Sequence, residues 1–160
     1  MAKIDYIVPT WNSASTLPLT LSSIQDYGRP NWIIVVDKHS TDRTTAIARE
    51  HGCRVITSSA GLGAARRLGA LKAQTDLIAF VDSDVELLPA WDEVLRASAD
   101  GRYADAGVIG ALYDDGYIRP ATAPISLLGG NGAFGCSVTR RKCVLACTAL
   151  DTLSSGEDAL

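Results

Sequence analysis

From residue 3 to residue 81 the sequence alternates short apolar runs with segments whose apolar residues recur at helical spacing, a pattern that leaves few folds open. Residues 3–9 (KIDYIVP) read as a strand; residues 15–27 carry leucines and Ile24 at helical intervals, with Pro18 tolerated near the start. Residues 31–37 (NWIIVVD) form a continuous apolar run ending in Asp37, the composition of a strand covered on both faces. Ser40 and Thr41 lead into a helix through Ile47 and Glu50 that Gly52 ends. A third strand follows over 53–58, a third helix over 62–74, a fourth strand over 76–81 (DLIAFV), and a helix over 88–98 opened by Pro89. Connections of a few residues between strand and helix predict an α/β domain, a mainly parallel sheet with helices on both faces. In such sheets ligands sit beyond the carboxyl ends of the strands.

Beyond residue 100 the pattern is less regular. Residues 106–113 and 118–123 read as strands joined by the Asp114-Asp115-Gly116 turn, 131–139 as another strand, 140–149 as a helix and 154–158 as a polar loop. At 160 residues and 47% hydrophobic, the chain suits one domain over 1–160 with one core; no repeat or linker marks a boundary. Its net charge of −3 gives no electrostatic reason to expect a nucleic-acid partner, so an anionic ligand must be held locally. The first residues lack the architecture of a signal peptide, and no apolar run approaches the ~18 residues of a membrane span. The expectation is a cytoplasmic protein, with peripheral attachment to the inner membrane face through a partner left open. Cys53, Cys136, Cys143 and Cys147 show no C-x-x-C spacing and no nearby histidine pair, which argues against zinc and for reduced, packing cysteines.

The sharpest chemical signal is V-D-S-D-V, with Asp82 and Asp84 just past the fourth strand. Carboxylates at i and i+2 on extended chain project to the same side, and two anions there need a cation. Magnesium or manganese held by one or two carboxylates completes its shell with waters and substrate phosphates, so the pair implies a phosphorylated ligand. The same tripeptide also suits a helix cap; its place after a strand favours the metal. Asp37 ends the second strand, where a carboxylate can accept from a pyrimidine imino N–H or ribose hydroxyls, while Ser40 and Asp42 cap the next helix. His39, alone in a turn, receives no role. Gly61-Leu62-Gly63-Ala64-Ala65-Arg66 differs from the dinucleotide fingerprint in its last position and follows the third strand. Its small residues instead allow close packing of helix on sheet. Arg66 is placed to turn toward a ligand at the strand ends, and Arg67 reads better as a solvated helical arginine. Asp158, in Ser155-Gly156-Glu157-Asp158, is a candidate general base for a hydroxyl acceptor, although an acidic pair of this kind alone means solvated charge.

Taken in order, IVPTWNSASTL, IIVVDKHSTDRT, GLGAARRLGAL, DLIAFVDSDVELLPAW and GEDAL resemble the successive blocks of family-2 glycosyltransferases, inverting enzymes of the GT-A fold. The resemblance covers essentially the whole chain and is densest from Ile7 to Trp91. It implies that Pro9, Asn12 and Asp37 line the nucleotide base and ribose pocket, with Arg66 closing over the same part of the donor. It further implies that Asp82 contacts the ribose or the metal's water shell, that Asp84 binds Mn2+ or Mg2+ directly, that Gly130 and Asn131 lie beside donor sugar or acceptor, and that Asp158 is the general base. The implied partners are a nucleoside-diphosphate sugar and a hydroxyl acceptor on a glycan, lipid or small molecule.

Lys38 and His39 stand where the family commonly has an acidic or small residue and a glycine, so base recognition is expected to differ. The family's later acceptor-side motif, with its glutamine, arginine and tryptophan, is absent before the sequence ends at Leu160. The chain therefore resembles a C-terminally short member, with weak turnover expected even where donor binding is sound. Two other functions fit parts of the pattern. One is a non-catalytic nucleotide-sugar-binding module. The other is a sugar-nucleotide pyrophosphorylase, which requires a glycine-rich basic loop after the first strand where this chain has PTWNSAST.

Overall fold

The alternating runs form the strands and helices of a single mixed sheet. The computed structural model describes residues 4–89, 91, 95, 108–114, 117–123 and 136–147. In chain order the elements are β1 (Ile4–Thr10), α1 (Leu17–Tyr27), β2 (Pro30–Asp37), α2 (Thr44–Glu50), β3 (Arg54–Thr57), α3 (Leu62–Lys72), β4 (Leu77–Val81), β5 (Val108–Asp114), β6 (Tyr117–Ala123), β7 (Cys136–Arg140) and α4 (Arg141–Ala146). Of the helix expected over 88–98, Leu88 and Pro89 lie before any helix, Trp91 and Leu95 are helical with both side chains buried, and the other residues lie outside the described residues.

Strand order is β3-β2-β1-β4-β7-β5-β6. The first four strands are parallel, as strand–helix–strand connections require. β7 then runs antiparallel to β4, and β5 antiparallel to β7. β5 and β6 form the expected hairpin, in register down to Asp114 opposite Tyr117. The sheet is thus parallel in its first half and antiparallel in its second, with β7, the last strand in sequence, inserted between β4 and β5.

Alternate side chains of the central strands enter two apolar layers, which is why these runs are apolar throughout. Tyr6, Val8, Ile33, Val35, Ala79 and Val81 face α1, α2 and Trp91. Ile7, Ile34, Val36, Ile78 and Phe80 face α3 and Val144 of α4. α3 lies so close to β1 that a Cβ on Gly69 would stand 2.4 Å from Ile7 Cγ2, so only glycine admits this approach. α2 ends as expected at Gly52, with φ +74°. The Gly52 N–H donates to Arg49 O and the Cys53 N–H to Ala48 O, the paired bonds of a Schellman cap. None of the four cysteines is in a disulfide; burial pushes the Cys53 thiol up to about 12, so it packs as a neutral side chain.

Candidate functional site

A cleft of about 650 Å³ opens across the carboxyl ends of β1, β2 and β4 and the start of α3, the edge at which a parallel sheet receives ligands. Pro9, Asn12, Asp82 and Asp84 line it, together with Trp11 and Lys38. Four of the residues that the sequence points to therefore share one concavity. Asp37 and Arg66 do not line it. Gly130, Asn131 and Asp158 lie outside the described residues.

β4 ends at Val81, and the chain turns at once, with the Val85 N–H donating to Asp82 O at 3.1 Å. Asp82 and Asp84 occupy this turn. Arg66 Nη2 donates to Asp82 Oδ1 at 2.6 Å, with the arginine side chain 6% exposed and the aspartate 37%. A guanidinium so desolvated needs a charged partner, and Asp82 is in reach, with the Phe80 ring 5.9 Å from the guanidinium. Arg66 thus holds Asp82 at the end of β4. Asp84 is exposed at the cleft. Arg67, expected to be solvated, is half-buried.

The opposite wall consists of the loops after β1 and β2, tied to each other by hydrogen bonds. Asn12 has a φ of +48° and His39 of +53°, a left-handed conformation that glycine adopts without cost and that histidine and asparagine tolerate better than most. Asn12 Oδ1 accepts from the Thr41 N–H at 2.9 Å, and the Asn12 N–H donates to Ser40 Oγ at 2.8 Å. Asp37 is buried. Its oxygens accept from Thr10 Oγ1 at 3.1 Å, Ser40 Oγ at 2.5 Å and the Ser40 N–H at 2.9 Å. Asp37 therefore braces the floor of the loop, and the side chain next to it, Lys38, reaches the cleft with its ammonium 5.9 Å from the centroid of the Trp11 ring. Ser40, expected to cap α2, bonds Asp37 and Asn12 instead, because the turn at His39 directs it back toward β1.

Asp42 does hold the start of α2. Oδ1 accepts from the Thr44 N–H and hydroxyl, and Oδ2 from the Ala14 N–H at 3.0 Å. The Thr44 hydroxyl, foremost, holds its carboxyl below the ordinary range. Among the described residues no group of three or more histidines, cysteines or acids could cage a metal. Two carboxylates in an open cleft fit instead a hard cation that completes its shell with water and ligand oxygens.

Sequence reasoning missed three positions. Trp11 is 57% exposed at the rim of the cleft, an unusual place for a large aromatic residue. Ser13 Oγ lies 2.9 Å from Ser83 Oγ, both residues lining the cleft. Asp5 is buried at the far edge of the sheet, where it accepts from Asn31 Nδ2, the Trp32 N–H and the N–H groups of Gln74 and Thr75. Burial pushes its carboxyl up, and these four donors together outweigh it and hold the pKa below the ordinary value.

Parallel strands with a ligand cleft at their carboxyl edge, followed by an antiparallel half, define a domain of the GT-A type, and solved structures superpose on it accordingly. S. aureus TarS 1–349 does so with a TM-score of 0.65 and 20% identity, over 95% of this chain and 54% of that one. The same TarS fragment in complex with UDP-GlcNAc gives 0.57 at 26% identity, over 75% and 37%. Glucosyl-3-phosphoglycerate synthase from Mycobacterium tuberculosis, in complex with Mn2+, uridine-diphosphate and glucosyl-3-phosphoglycerate, gives 0.60 at 24%, over 71% and 45%. The chain belongs to glycosyl transferase family 2, whose profile matches residues 5–142. A curated relative, an uncharacterized glycosyltransferase of Mycobacterium tuberculosis, is 34% identical over 82 residues, which are 51% of this chain and 36% of the relative. The match thus spans about a third of that relative's length. No helix among the described residues is long and apolar enough to cross a membrane.

Proposed function

We propose that this chain binds a nucleoside-diphosphate sugar through a divalent cation and serves an inverting glycosyl transfer to a hydroxyl acceptor. The observation that carries the proposal is the exposed Asp84 carboxylate in the same cleft as Asp82, itself fixed by Arg66. Among the described residues Lys38 is the cation lining this cleft, and two carboxylates line it with it, so added positive charge strengthens the binding of a diphosphate. Mn2+ or Mg2+ held by Asp84, with Asp82 ordering its water shell, would supply that charge and stabilise the leaving diphosphate. Pro9, Asn12, Trp11 and Lys38 form the end of the cleft suited to the base and ribose. Uridine is the first base to test, because two structural neighbours are solved with uridine nucleotides.

Asp158 is the proposed general base. A carboxylate within hydrogen-bond reach of the acceptor hydroxyl removes its proton as the new bond forms, and attack opposite the leaving diphosphate inverts the anomeric carbon. A thermal-shift panel of nucleoside diphosphates with and without manganese tests donor binding, since a selective ligand raises the melting temperature with its occupancy. Asp84→Ala is expected to lose the manganese-dependent part of the shift; an unchanged shift removes Asp84 from the site. A product assay with Asp158→Asn then separates an enzyme from a binding module: transfer is lost and donor binding kept if Asp158 is the base.

A further inference from the structure

We infer that Ser13 is a positioning residue for the Asp82-Ser83-Asp84 turn, and that a chain of hydrogen bonds from Asp42 through Thr44 and Ser13 to Ser83 sets where Asp84 stands in the cleft. The inference rests on the donor reading above and adds a residue to it.

The two hydroxyls join segments 70 residues apart at 2.9 Å, the loops that follow the paired strands β1 and β4 and that both line the cleft. Ser13 is well anchored. It is 8% exposed, and its N–H donates to Thr44 Oγ1 at 2.8 Å. Thr44, fully buried, donates its own hydroxyl to Asp42 Oδ1 at 2.5 Å, and the neighbouring Ala14 N–H donates to Asp42 Oδ2. Ser13 Oγ also lies 3.2 Å from Trp11 O and accepts from the Trp11 N–H at 3.3 Å, and either hydroxyl can donate in the bridge to Ser83.

The turn after β4 is pinned on both sides of Asp84. Asp82 is held by Arg66, Ser83 by Ser13, and Val85 packs against the core and closes the turn on Asp82 O. Asp84 is the one exposed carboxylate between these anchors. A metal ligand displaced by about an ångström loses much of its affinity, so a bond that fixes the turn bears on the cation through geometry alone.

The test combines a ligand-free and a ligand-bound reading on Ser13→Ala, Ser83→Ala, the double variant and Ser83→Thr. In amide NMR of the ligand-free protein, Ser13→Ala is expected to shift the Ser83, Asp84 and Val85 resonances. Calorimetry with UDP and manganese is expected to give roughly five- to tenfold weaker binding for each alanine variant, no further loss in the double variant, and recovery to within about twofold for Ser83→Thr. Binding of UDP without manganese is expected to be equal in all of them, which a general loosening of the fold would not leave untouched. Unshifted resonances, or losses that add in the double variant, overturn the bridge. If the unaltered chain shows the NMR coupling and no manganese-dependent binding, the donor reading fails and takes the inference's role with it.

Discussion

The two edges of the parallel half of the sheet both carry aspartates, and they use them in opposite ways. At the amino edge Asp5 is fully buried and meets four donors from two segments. At the carboxyl edge Asp84 stands exposed in a cleft, beside an Asp82 held by Arg66. A carboxylate saturated by protein donors ties strands and loops together; a carboxylate presented to solvent on an anchored turn is available to a ligand. Among the described residues, two of the three non-glycine residues with positive φ, Asn12 and His39, also lie on the carboxyl-edge loops, and strained backbone gathers where a site is being shaped.

The contrast predicts a graded series of effects. Asp5→Asn should cost the most, on the order of 3 kcal/mol, because an amide presents a donor to backbone N–H groups that need an acceptor. Chemical denaturation measures it, and a loss below about 1 kcal/mol would place Asp5 outside the fold's supports. Because the folded-state pKa of Asp5 is depressed, its contribution is complete above the unfolded value of ~3.9 and is lost as pH falls through the folded value. The acid limb of stability below about pH 4 should therefore be shallower in Asp5→Asn.

Arg66→Met removes one partner of a half-buried pair and should cost roughly 2 kcal/mol, less than the 3–5 of a fully buried one, because Asp82 retains access to water. It should also weaken manganese-dependent nucleotide binding, which Asp5→Asn leaves intact wherever the variant is folded. His39→Gly relieves a left-handed histidine and should stabilise by about 1 kcal/mol; a loss of stability would show that the side chain contributes more than its backbone costs. Asp84→Ala should change ligand-free stability least, within about 0.5 kcal/mol as for other exposed positions, while removing the metal-dependent shift.

Much of this arrangement was legible in the sequence where local pattern suffices. DLIAFV ends in D-S-D, so the carboxylates had to emerge at a strand end, and Gly52 marked the Schellman cap of α2. What depends on distant pairing was not legible. Asp5 sits within KIDYIVP as a lone charge, and its partners lie 26 to 70 residues away. The place of β7 between β4 and β5 follows from strand pairing across the chain, and Ser13 gains its partner only when the fold brings β1 beside β4. Arg66 stands out in its small-residue helix, yet only the fold reveals that it pairs with Asp82. Asp37 reads as a carboxylate at a strand end, and only the fold shows that Thr10 and Ser40 donate to it.

The most direct measurement is an anomalous-difference map at the manganese edge from crystals grown with UDP and Mn2+. A single peak within coordination distance of an Asp84 carboxylate oxygen, with diphosphate oxygens on its far side, is the expected result. A nucleotide bound in the cleft with no manganese at Asp84, or with the ion held elsewhere, would contradict it.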